Sequence, residues 1–226
     1  MPKIEWDKSG EKILESGVDH AVLYTVDDET KKYTNGVAWN GITGITESPS
    51  GADPNDFYAD NIKYASLRAA ETFGGTIEAY TYPDEWMACD GSISLLDGVT
   101  IGQQARNVFG LSYRTKVTDD LGKETYKTHL IYGATASPSE KGYTTINDSP
   151  DANTFSWEMT TNPVNVAGHK PTALLVVDHR KLTEAQITKL EEALYGSETK
   201  EAYLPLPDEI ATLLATNGVS SEEVSG

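Results

Sequence analysis

From Asn107 to Val117 the chain reads NVFGLSYRTKV, and its side chains fall into two sets: Phe109, Leu111, Tyr113, Thr115 and Val117 on one side of an extended backbone, Ser112, Arg114 and Lys116 on the other. A helix, with its period of about 3.6 residues, would scatter both sets around its axis, whereas a strand keeps them apart. The segment is therefore read as a strand with one buried face and one that is wet or at an interface. The same period returns in NTFSWEMTTNPV, where Phe155, Trp157 and Met159 oppose Thr154, Ser156 and Glu158. Pro163 ends that strand or lies at an edge, because proline donates no ladder hydrogen bond. In YKTHLIYGATAS, Tyr126, Thr128, Leu130, Tyr132 and Ala134 are expected to share a face, joined to the Phe109 strand by a hairpin through TDDLGKE. HAVLYTV and VAWNGITGITES supply further strands, and FYADNIKYASLRAAETFGGTIEAYTYP reads as two more. KPTALLVVDH is a continuous apolar run, the pattern of a strand covered on both faces.

Helical signals are concentrated near the end. Thr183 and Gln186 form a capping box before EAQITKLEEALYG, whose Ile187, Leu190 and Leu194 make a stripe that Gly196 terminates. In LPDEIATLLATNG, Pro207 sits just inside the start and Asp208 and Glu209 suit the positive end of the helix dipole. A short helical turn is expected around PDEWMACDG. The economical organisation is an arm over residues 1–18, a mainly β domain over 19–205 with a flanking helix at about 184–195, and a C-terminal helix with a flexible tail over 206–226.

The chain carries 35 acidic against 18 basic residues, a formal charge of −17, which works against binding nucleic acid through its phosphates. A single cysteine, Cys89, excludes an internal disulfide framework and fits folding in a reducing cytoplasm. No secretion leader and no membrane span are expected. The glycines form neither a phosphate loop nor a dinucleotide fingerprint, and the histidines at 20, 129, 169 and 179 lack metal-ligand spacing and read as partly exposed strand ends. Asp178 and His179 with Ser137 or Ser139 make only a nominal triad, without a nucleophile elbow. No catalytic residue, metal or cofactor is expected, and the chain is read as not an enzyme. The stretch ESPSGADPNDFYADN at 47–61 holds four acids, and its spacing departs from a calcium loop, so it reads as a loop tip.

Taken in order, WNGITGITESPSGADPNDFYADNIKYASLRAAETFGGTIEAYTYPDEW at 39–86, TIGQQ at 100–104, YGATASPSEK at 132–141, INDSPDANTFSWEMTTNPV at 146–164 and GHKPTA at 168–173 resemble the major tail protein of long-tailed bacteriophages, the subunit of the tail tube. The resemblance covers most of residues 19–210. It implies a β-sandwich or barrel-like unit with a flanking helix, whose strands continue those of neighbouring copies. Six-fold rings of such subunits stack into a hollow tube through which DNA passes, in a virion assembled in the host cytoplasm. It also implies a hairpin over residues 40–70 that reaches a neighbouring subunit or ring, and contacts with tail tip or baseplate, tape measure and terminator proteins.

Within that frame Glu47, Asp53, Asn55, Asp56 and Asp60 belong to a loop at a ring contact or at the lumen, with Asn55 and Asn61 serving turn geometry. Trp6, Ile13 and Leu14 dock the N-terminal arm on an adjacent subunit. A ring of six copies would carry roughly −100 charges, so DNA would pass without being held. Two alternatives stay open: the inner tube of a phage-related contractile injection device, and a monomeric β-sandwich binding module with its tyrosines as a platform.

Overall fold

The computed structural model describes residues 4–27, 29–145 and 152–215. Among them run β1 (Ile13–Val26), β2 (Tyr33–Ala38), β3 (Ile42–Glu47), β4 (Ser50–Gly51), β5 (Pro54–Ala59), β6 (Ile62–Arg68), β7 (Glu71–Thr72) and β8 (Gly74–Ala79). The chain continues through α1 (Trp86–Cys89), β9 (Ile93–Leu96), β10 (Val99–Ile101), β11 (Phe109–Asp119), β12 (Glu124–Ala136), β13 (Phe155–Thr161), β14 (Leu174–Asp178), α2 (Glu184–Tyr195) and α3 (Pro207–Leu214). The protein is mainly β, built on an eight-stranded antiparallel sheet in the order β2-β1-β11-β12-β13-β8-β3, with β14 paired to β12 off that path.

The sheet curls until β3, last in the order, returns beside β1. Its concave face encloses Leu23, Ile77, Phe109, Leu111, Ile131 and Trp157, capped by Trp39 and by Trp86 of α1. The Trp86 ring lies 4.6 Å from Trp39, 4.9 Å from Phe109 and 5.4 Å from Trp157 between centroids, the tilted and edge-on geometry that aromatic quadrupoles favour. The convex face carries Tyr24, Leu130 and Tyr132, covered by Leu190 and Leu194 of α2 and Ile210 of α3. Both buried phenols are satisfied: Tyr24 donates to the Leu194 carbonyl at 2.7 Å and Tyr132 to the Pro205 carbonyl at 2.9 Å, tying helix and C-terminal segment to the sheet. The capping box forms as the residues predict, and Gly196 ends α2 with a φ of 77°.

Three expectations about strand faces are overturned. Ser112 and Arg114 are buried, because α2 covers the face that alternation leaves polar; Arg114 Nε is held 2.9 Å from Asp19 Oδ1 with its guanidinium over the Tyr126 ring. Ala134 does not share a face with Leu130 and Tyr132 but joins the concave core. The cause is a register shift against β11 around Gly133, whose φ is 60°; a side chain there would come within 2.0 Å of the Asn162 carbonyl oxygen. β14 is not covered on both faces: Val177 is buried, but Val176 on the opposite face is 45 % exposed. Among the described residues no helix is long and apolar enough to cross a membrane.

Candidate assembly interface

Residues 42–79 form one interrupted hairpin. β3 pairs with β8 inside the sheet, β4 pairs with β7, and β5 pairs with β6. Gly51 and Ala52, with φ of 88° and 59°, break the outgoing strand between β4 and β5. The hairpin closes at Asp60 and Asn61, both with positive φ (51° and 63°), so two residues suffice to join Ala59 to Ile62. The stretch at 47–61 is thus one strand of a long arm and its turn, not a single loop tip. Among the described residues, β5 and β6 pair with each other and with no strand of the main sheet. Phe57, Ile62 and Leu67 share a face by register and are 45 %, 64 % and 63 % exposed. Tyr58 and Tyr64 are exposed as well.

The five candidate residues are spread along the length of the arm. Asp53 lies exposed between β4 and β5, Asn55 and Asp56 are in β5, and Asp60 is at the turn. Asp56 is not a free acid, since Lys63 Nζ lies 2.8 Å from its Oδ1 and draws the carboxyl below its usual range. Glu47 is at the root of the arm, half-buried, where its Oε1 accepts from Tyr113 Oη at 2.5 Å and lies 2.9 Å from His129 Nδ1. His129 stacks on the Tyr113 ring at 4.8 Å and meets Thr115 Oγ1 through Nε2 at 3.1 Å. Thr115 in turn donates to Glu15, which pairs with Lys127. The bond to His129, ahead of burial, which opposes it, sets the Glu47 carboxyl below its usual range. This cluster bridges β1, β3, β11 and β12 where β3 comes back to β1, and fixes where the arm leaves the sheet. Nothing within the 47–61 stretch itself points to it.

The N-terminal residues divide differently from the expected arm. Ile13 and Leu14 are the first residues of β1, paired with Asp119 and Thr118. Trp6 stays exposed, in a segment held to the β11–β12 turn by Gly10 N donating to Asp120 Oδ1 at 2.7 Å. Leu14 and Leu121 are exposed as well.

The remaining reactive groups are committed to structure. Burial pushes the Cys89 thiol up to about 12, so it is no nucleophile near neutrality. His129 and His179 are buried rather than partly exposed, each held by a threonine; His179 Nε2 lies 2.8 Å from Thr128 Oγ1. The nominal triad does not assemble: Asp178 is bound by Arg180, and Ser139 receives the Glu158 N–H.

No family model and no curated protein matches the chain. Among solved structures, it is similar to a chain of the anti-feeding prophage baseplate (7 % identity, 77 % of this chain and 98 % of that one, TM-score 0.38). It is also similar to one from the sheath/tube terminator of an extracellular contractile injection system (12 % identity, 77 % and 99 % covered, TM-score 0.36). A third is from the tube terminating cap of the anti-feeding prophage (10 % identity, 70 % and 88 % covered, TM-score 0.34).

Proposed function

We propose that the chain is the structural subunit of a tail tube, forming six-fold rings that stack into a hollow, negatively charged conduit for DNA. The observation that carries this reading is the 50–72 arm, a two-stranded ribbon whose strands pair with each other and whose Phe57, Ile62 and Leu67 are left exposed among the described residues. A lone ribbon of this kind is marginal in water and is stabilised by a partner surface. The one-sided pairing of β14 adds an open ladder that a ring of copies would close. The quoted resemblance to the major tail protein of long-tailed phages supplies the six-fold symmetry, the DNA cargo and the partners at the tube ends. Negative-stain images and sedimentation of purified protein across a concentration series test the reading. Rings or hollow filaments are expected; a single monomeric species at every concentration would overturn it.

A further inference from the structure

A second ribbon shares the arm's character. Among the described residues β9 and β10 pair only with each other, and their register sets Ile93, Leu96, Val99 and Ile101 on one face with Ser94 and Thr100 opposite. All four apolar residues are exposed, Ile93 by 48 % and Leu96 by 58 %. The two ribbons are rooted at opposite ends of one strand: the arm enters β8 at Gly74, and the segment bearing β9–β10 leaves it after Ala79. Both ribbons are also sparing in net charge. In a protein of net charge −17, residues 54–68 hold two acids and two bases, and residues 93–101 hold a single charge, Asp97. Copies that repel over most of their surface can approach where charge is absent or balanced.

We infer that the apolar face of β9–β10 receives the β5–β6 arm of a second copy of this chain, in a head-to-tail contact. Two different patches at opposite ends of a strand define a heterologous interface, which propagates from copy to copy instead of closing on a pair. Burying Phe57, Ile62 and Leu67 against Ile93, Leu96, Val99 and Ile101 supplies the hydrophobic cover that each ribbon lacks in its own chain. The contact rests on the tube reading and deepens it by naming the surface on which the arm lands.

The test uses two full-length variants. Phe57→Asp with Leu67→Asp spoils the arm and leaves β9–β10 intact; Leu96→Asp with Ile101→Asp does the reverse. All four positions are exposed, so circular dichroism and melting should match the parent. Alone, each variant is expected to stop at one small particle. Mixed, they retain one complementary pair of surfaces, and the largest particle should double in mass by sedimentation velocity. Variants that each assemble like the parent, or a mixture that gains no mass, would overturn the contact while parental tubes leave the tube reading standing. Parent protein that never associates would overturn both.

Discussion

The curled sheet and the projecting arm are built from the same kind of antiparallel ribbon, yet their side chains meet opposite fates. In β13, Trp157 is fully buried among Trp39, Tyr82 and Trp86; in β6, Leu67 is 63 % exposed. The sheet is stabilised from inside the chain by two apolar layers, whereas the arm is held by its own ladder and by Glu47 at its root. Stability and association are thereby separated along one polypeptide, and substitutions should sort accordingly.

The largest effect is expected from Trp157→Ala, which empties the centre of the aromatic cluster and should cost about 3–5 kcal/mol in denaturant unfolding. Glu47→Gln at the arm's root should cost about 1.5–3 kcal/mol, since it weakens two bonds to a carboxylate. That substitution should also flatten the acid limb of the stability curve. Glu47, Glu15 and Asp19 all have folded-state pKa values below their ordinary ones. Their contribution is therefore complete above the unfolded carboxylate pKa and is lost as pH falls through the lower folded values. A melting series at successively lower pH checks the sign; stability rising on acidification would contradict it. Thr183→Ala, which removes the cap of α2, should cost about 1 kcal/mol. Leu67→Ser should change unfolding by no more than about 0.5 kcal/mol while weakening association, the sharpest separation of sheet from arm.

The parts legible in the sequence are those where a local pattern and its surroundings agree. Phe155, Trp157 and Met159 alternate because their strand has one core beneath it, and Thr183 with Gln186 announces α2 within four residues. Three kinds of feature were hidden. A ribbon exposed on both faces needs no period-two pattern, so Pro54, Asn55 and Asp56 disguise the start of β5 as loop, while the β6 residues read as strand. A bulge at Gly133 reverses the inward set near the end of β12, and burial under a helix overrides the polarity of Ser112 and Arg114. The partners of Glu47 lie 66 and 82 residues away, a separation that leaves no local trace.

The buried thiol of Cys89 has a practical corollary. With its sulfur enclosed beneath the tryptophans and protonated near neutrality, the native protein should stay dark to maleimide dyes. A cysteine installed at Asn61, the far end of the arm, would then be the lone point of attachment, and its fluorescence could follow the tip from solvent into whatever receives it.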